Sequence, residues 1–283
     1  MLQKITANTY YLINDDEKER PTLGVISGGN ASLVVDAGNS SLHAQELISE
    51  VKRLRLPPIK YVVVTHAHWD HFLGVNEYEA HFIVSKKTNE KLQFWKSCSF
   101  SDEGLKEIDR EMNVGSTFSE IIKTELNDRD TFQLKDADII FDNQLTLDLG
   151  DMLCTIDEMD STHTEDATVV YNPKEKVVFF GDATYGKTTE SLFHYSHNKI
   201  DSMIQNAKKY QVNWSVLGHE SVCDRDEMDL YWSELTSSSR AVHTSSLKGS
   251  IDTFRLNEGR EPTDNEMFFI KAFINDIIIE LKS

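Results

Sequence analysis

Residues 65–71 read Thr-His-Ala-His-Trp-Asp-His, which places His66, His68, Asp70 and His71 directly after the apolar run Tyr61, Val62, Val63, Val64. Imidazole nitrogen and carboxylate oxygen are the donors preferred by Zn²⁺ and its borderline neighbours, so the chemistry on offer is metal binding. Alternate side chains of an extended segment point the same way. His66 and His68 can therefore grip one ion, and a turn after them can swing Asp70 and His71 toward a second.

Further donors recur in one arrangement, an apolar β-type run followed by a ligand-type residue. His163 lies in Asp-Ser-Thr-His-Thr-Glu-Asp between strand-like segments at 153–157 and 167–171. Asp182 follows Val177, Val178, Phe179, Phe180 and a glycine, and His219 follows Trp214, Ser215, Val216, Leu217 and another glycine. In layered α/β structures the loops at one sheet edge converge, so these distant residues can meet.

Together with Asp36 in Leu-Val-Val-Asp-Ala-Gly, Asp182 in Phe-Gly-Asp and His219 in Leu-Gly-His, the His66, His68, Asp70, His71 and His163 series resembles the metallo-β-lactamase-fold superfamily of metallohydrolases. The match runs in the family's order from about residue 10 to 220. The resemblance implies an α/β fold, a four-layer αββα sandwich with a helical insertion and a helical C-terminal extension. It implies that His66, His68 and His163 hold one divalent ion, that Asp70, His71 and His219 hold another, and that Asp182 bridges them. Asp36 would support the site from behind, or serve as a turn residue before Gly38.

Two divalent ions are expected, Zn²⁺ first, with iron or manganese as alternatives for a site rich in carboxylate. Such a pair creates a nucleophile from water at neutral pH and polarises the oxygen under attack. Asp70 would orient a bridging hydroxide and carry a proton to the leaving group. Tyr185 matches a tyrosine of the lactonases of this superfamily, where its hydroxyl addresses the substrate carbonyl; it could equally pack at a strand end. The expected activity is hydrolysis of a small carboxylic ester, lactone or thioester. The alternatives are an iron oxidoreductase of the same fold, like the persulfide dioxygenases, or a phosphodiesterase. True β-lactamases of the fold generally carry cysteine where Asp182 stands, which argues against antibiotic hydrolysis.

The elements that must position these residues are legible in outline. The chain has 283 residues with 29 basic and 47 acidic side chains, a formal charge of −18 that disfavours nucleic acid and anionic membrane as partners. A small molecule is the expected partner. No apolar run reaches the roughly 18 residues of a membrane helix and no leader pattern opens the chain, so a soluble cytoplasmic protein is expected. Cys98, Cys154 and Cys223 suit a reducing compartment and occupy no ligand position.

A catalytic domain is expected over 1–222 and a helical extension over 223–283. Strands are expected at 9–13, 23–26, 31–35, 60–65 and 82–84, with a helix from Ser41 to the Pro57-Pro58 stop. Residues 86–134 are expected to form a mostly helical insertion that lines the substrate pocket together with the C-terminal helices, the insertion's aromatics anchoring it. Strands at 138–141, 144–148, 152–157, 167–171 and 176–180 are assigned to the second half, and a helix at 198–209 precedes the last strand. Trp69 either walls the pocket or packs beneath it, while His194 and His197 read as exposed surface. Thr263-Asp-Asn-Glu266 is a capping-box pattern opening a final helix with a wide apolar face. That face must be covered by the parent domain or by a second copy in a homodimer.

Overall fold

A computed structural model describes residues 1–112 and 116–282. Residues 113–115 of the expected insertion and Ser283 of the expected extension lie outside the described residues. The first sheet is built from β1 (Gln3–Lys4), β2 (Thr9–Leu12), β3 (Leu23–Ser27), β4 (Ser32–Val35), β5 (Ile59–Val63), β6 (His81–Ser85) and β7 (Ile139–Phe141), in that spatial order. The second runs β15 (Cys223–Asp224), β14 (Trp214–Leu217), β11 (Val177–Gly181), β10 (Thr168–Asn172), β9 (Leu153–Glu158), β8 (Gln144–Asp148). A separate hairpin pairs β12 (Lys187–Thr189) with β13 (Leu192–His194).

Period-two alternation explains the layering. Val63 of β5 faces the core between the sheets, whereas its neighbours Val62 and Val64 face the outer helices. Val177 and Phe179 of β11 likewise point inward and Val178 and Phe180 outward. Both faces of each strand are buried, so these segments read as continuous apolar runs.

The outer face of the first sheet is covered by α1 (Ser41–Arg53) and the insertion helices α3 (Lys86–Ser97), α4 (Asp102–Met112) and α5 (Ser116–Glu125), with the single turn α2 (Trp69–Phe72) after β5. The second is covered by α6 (His197–Lys208), α7 (Arg225–Ala241), α8 (Leu247–Glu258) and α9 (Asp264–Glu280). The result is the expected αββα sandwich. The Thr263 hydroxyl accepts the Glu266 N–H at 3.1 Å and Glu266 accepts the Thr263 N–H at 2.8 Å, so the capping box forms as read. Phe269, Ile270, Phe273 and Ile274 of α9 are buried in the parent domain's second outer core.

Two expectations are corrected here. The strand at 138–141 was assigned to the second half, but Ile83, Val84 and Ser85 of β6 pair in parallel with Ile139, Ile140 and Phe141. The chain leaves the insertion onto the open edge of β6 and crosses to the second sheet only at Asn143, whose φ of +64° makes the turn. His194 is buried and His197 half-buried, not exposed surface as expected. Asp276 of α9 takes both: its Oδ1 lies 2.8 Å from His194 Nδ1, and its Oδ2 accepts the His197 N–H at 2.9 Å. A long-range carboxylate partner on the last helix is invisible to local sequence reading. Among the described residues no helix is long and apolar enough to cross a membrane.

Candidate metal centre

The parallel pairs decide where the donors go. β4 and β5 run parallel with Val35 opposite Val63, and β11 and β14 run parallel with Gly181 opposite Leu217. Asp36, the 65–71 loop, Asp182 and His219 therefore emerge at strand C-terminal ends. His163, in the turn between β9 and β10, joins them because β10 is antiparallel to both neighbours. The two edges are stitched together by Thr168 N–H donating to the Thr65 carbonyl at 2.8 Å and Thr22 N–H donating to the Gly218 carbonyl at 2.6 Å.

Seven donors converge there in two groups, His66, His68, His163 and Asp182 in one and Asp70, His71 and His219 in the other, with ligand atoms of each group within 4.8 Å of one another. Asp182 Oδ2 lies 3.8 Å from His66 Nε2, 3.5 Å from His71 Nε2, 3.4 Å from His163 Nε2 and 3.5 Å from His219 Nε2. It thus reaches histidines of both groups. Asp70 Oδ2 lies 3.2 Å from both His71 Nε2 and His219 Nε2.

Backbone space is as constrained as the side chains. A Cβ at Gly218 would collide with Asp182 Oδ1, and one at Gly181, whose φ is +52°, would press on the Thr65 hydroxyl at 2.6 Å. Glycine in Phe-Gly-Asp and Leu-Gly-His is thus a steric requirement of packing two ligand loops together.

Supporting partners orient the imidazoles. His71 Nδ1 lies 2.8 Å from Asp36 Oδ2, and Asp36 also accepts the Thr65 N–H at 2.7 Å and the Thr65 hydroxyl at 3.0 Å. Asp36 adopts φ +63°, so both readings of this residue hold: it makes the turn and it holds a histidine. His163 Nδ1 donates to the Gly186 carbonyl at 2.7 Å, leaving Nε2 with its lone pair toward the site. Sequence reading missed Asp166, which is buried. Its Oδ2 accepts the Ala67 N–H at 2.8 Å and its Oδ1 accepts from Lys91 Nζ at 2.6 Å, tying the histidine loop, the His163 loop and the insertion together. The acidic residue three places after His163 was the available signal, but its partner Lys91 is remote in sequence.

The charges suit a divalent cation. Burial, then neighbouring imidazoles, push His66 well below the ordinary histidine range, and the same causes bring His68 down to about 4, so both stay neutral, the form that ligates. Burial opposes charge on Asp70 and Asp182, but His71 and His219 outweigh it and hold both carboxyls well below the ordinary range. Conversely Asp70, Asp36 and Asp182 overcome burial to raise His71, and Asp182 and Asp70 raise His219 to about 10. Positive charge is demanded at this point. His66 Nε2, His71 Nε2 and Asp182 Oδ1 are buried with no hydrogen-bond partner among the described residues, a rare condition for polar atoms and one that coordination would relieve.

The donors open onto a cleft of about 620 Å³ lined by His163, Asp182 and His219, by Glu19 and Glu220, and by a group of aromatics including Tyr185. Tyr185 Oη accepts the His219 N–H at 3.3 Å, and its own proton has no acceptor among the described residues. Burial first, then Asp182, raise this phenol well above its ordinary range.

The cleft is lined by the C-terminal helices, through Tyr231, Asn265, Phe268 and Phe269, as expected, but no described residue of 86–134 lines it. The insertion packs behind the metal loop instead: Trp69 meets Phe118 edge to face at 5.2 Å, and Trp95 Nε1 donates to the Ala67 carbonyl at 3.1 Å. Trp69 is thereby drawn against the insertion, and its aromatics are anchors.

Fold and donor set define the metallo-β-lactamase class of proteins. The chain belongs to the metallo-β-lactamase superfamily, whose model matches residues 21–219. Members are mostly hydrolytic metalloenzymes, and the family together with the His/Asp groups supports divalent metal binding. A metallo-β-lactamase from Pontibacter korlensis is similar at 18% identity with a TM-score of 0.54, over 82% of this chain and 97% of that one. The DIM-1 metallo-β-lactamase is 17% identical with a TM-score of 0.56, over 82% and 95%. The sec-alkylsulfatase Pisa1 from Pseudomonas sp. is 12% identical with a TM-score of 0.60, covering 92% of this chain but 43% of its own length. At these identities the likeness is one of fold. No curated protein sequence matches the chain.

Proposed function

We propose that this chain is a dinuclear metal-dependent hydrolase of a small carboxylic ester, lactone or thioester. The observation that carries the reading is Asp182 Oδ2, within 3.4–3.8 Å of the Nε2 atoms of four histidines drawn from both donor groups. That placement supports a carboxylate that two ions would share. His66, His68 and His163 would hold one ion, Asp70, His71 and His219 the other, with Zn²⁺ the first choice and iron or manganese the alternatives. When bound, such ions supply an activated water near neutral pH and a Lewis acid for the developing oxyanion.

The chain's own groups do the rest. Asp36 and the Gly186 carbonyl fix the tautomers of His71 and His163. Asp70, held ionised, would orient the attacking water, take its proton and pass it to the leaving group, and the Tyr185 hydroxyl would be available to the oxygen of a carbonyl in the cleft. No lysine or arginine lines the cleft among the described residues, which favours a carboxylic over a phosphate ester. Residues 223–283 act in this reading as a cleft-forming extension of a catalytic domain over 1–222, in a cytoplasmic protein.

The test is elemental analysis of protein purified without added metal or chelator, run beside a panel of lactones, thioesters, carboxylic esters and phosphodiesters. Two equivalents of metal with turnover of a carboxylic substrate are expected. One equivalent of iron with oxygen consumption and no hydrolysis would overturn the reading.

A further inference from the structure

Glu19 and Glu220 both line the cleft, and neither carboxylate has a hydrogen-bond or ion-pair partner among the described residues. Facing the same space are Tyr185, Phe193, Tyr195, Tyr231, Phe268 and Phe269, and no lysine or arginine is among the described lining residues.

This aromatic wall is built rigidly. Phe193 lies 5.4 Å from Phe268 and Tyr195 5.7 Å from Phe269, ring centroid to centroid. The β12–β13 hairpin that carries Phe193 is pinned to α9 by Asn275 Nδ2 donating to the Phe193 carbonyl at 2.8 Å and by the His194–Asp276 pair at 2.8 Å. The phenol groups are engaged with protein: Tyr231 donates to the Thr184 carbonyl at 2.7 Å, and the Tyr195 and Tyr231 oxygens lie 3.1 Å apart. Their hydroxyls are therefore not free for a ligand; Tyr195 and Phe269, 3% and 6% exposed, back the wall, while Phe268, 51% exposed, and the half-buried Phe193 and Tyr231 present ring surface to the cleft.

Ring faces attract cations through their quadrupole, and weakly hydrated substituted ammonium groups most readily, because little solvation is lost when they are enclosed. Two carboxylates on the same cleft, neither with a hydrogen-bond or ion-pair partner among the described residues, supply the counter-charge. An anionic substituent on this side of the cleft would meet both carboxylates and find no lysine or arginine among the described lining residues.

We propose that the cleft selects a substrate bearing a substituted ammonium group, seated between the aromatic wall and the Glu19 and Glu220 carboxylates, with its acyl carbon toward Asp182 and Tyr185. The proposal rests on the hydrolase reading for the identity of the bond broken. It does not rest on that reading for the recognition of the cation. The ions of the centre would repel an ammonium placed on them, so the two groups of the substrate must be separated by a linker.

Two measurements on the full-length metal-loaded protein separate the claims. Calorimetric binding of choline is compared with that of 3,3-dimethylbutanol, its neutral isostere; choline is expected to bind about tenfold tighter or more. Hydrolysis of acetylcholine is compared with that of 3,3-dimethylbutyl acetate and an anionic acetate ester, and kcat/KM should follow the same order, with the anionic ester last. In the Glu19→Gln, Glu220→Gln double variant the cation-to-isostere binding ratio should fall toward one. Equal or weaker binding of choline, or a ratio unchanged in the double variant, overturns the proposal. Cation-selective binding without hydrolysis of any ester leaves the recognition standing and removes the hydrolase reading alone.

Discussion

Asp36→Asn isolates the role of one buried carboxylate. The residue is 1% exposed and its side chain makes three contacts, to the Thr65 N–H, the Thr65 hydroxyl and His71 Nδ1. Asparagine tolerates the left-handed backbone at φ +63°, so the exchange adds little strain. Its amide oxygen can retain the Thr65 N–H, but the amide nitrogen then faces His71 Nδ1–H, donor against donor. Relief comes if His71 moves its proton to Nε2, which removes the lone pair aimed at Asp70 and Asp182. Loss of one or two hydrogen bonds to a charged group costs about 2–3 kcal/mol, equivalent to a Tm lower by about 3–5 °C at this chain length. Metal affinity at the Asp70, His71 and His219 site should fall about 10–100-fold. Calorimetric metal titration of the apoprotein would read this as one retained tight site and one weakened site, with far-ultraviolet circular dichroism unchanged. Two tight sites and an unaltered Tm would refute the argument that Asp36 sets the tautomer of His71.

Asp166→Ala leaves the Ala67 N–H buried without its acceptor and frees Lys91, so thermal unfolding of the apoprotein should show a loss of about 2–4 kcal/mol; an unchanged Tm would show that the loop is held by its packing alone. Tyr185→Phe should raise the barrier for hydrolysis by about 1–3 kcal/mol, read in kcat with metal content unchanged; equal turnover would return Tyr185 to a packing role. Chelation of the purified protein should lower its Tm, since each ion present at about 100 times its Kd contributes about 2.7 kcal/mol, and restoring zinc should return it. Glu266 is buried, and although burial opposes its charge, Arg260 Nη1 and Nη2 at 2.6 and 2.7 Å, the Thr263 N–H and Ser237 hold its carboxyl below the ordinary range. A depressed carboxyl contributes stability that is present above the unfolded value of about 4.3 and lost as pH falls through the folded value. Urea unfolding of Glu266→Gln against the parent should therefore show a deficit at pH 7 that narrows as pH drops below about 4; a deficit constant with pH would show that shape, not charge, matters there.

Several features of this protein were determined by local sequence. Val62 to Val64 and Val177 to Phe180 are short continuous runs of β-branched and aromatic residues, which with their polar and glycine flanks read as strands buried on both faces. The spacing of His66, His68, Asp70 and His71 carries its own geometry, and Thr263 and Glu266 form their cap within one turn. The order of apolar run, glycine and donor at Asp182 and His219 pointed to loops at strand ends, and the structure brings both to one edge.

What only the tertiary structure decided depends on partners distant in sequence. Whether strand 139–141 closes the first sheet or opens the second is a matter of which free edge it reaches, and its own residues suit either. His194 and His197 look like free surface histidines until Asp276, 82 and 79 residues later, arrives to engage both. Asp166 becomes a strut only once Lys91 and the Ala67 amide are brought to it. The cleft wall was misassigned to the insertion because amphipathic helices signal a buried face without saying which surface receives it. The local rules name what a residue can do; the pairing of remote edges and helices decides what it meets, because those contacts are selected by the energy of the whole packed chain.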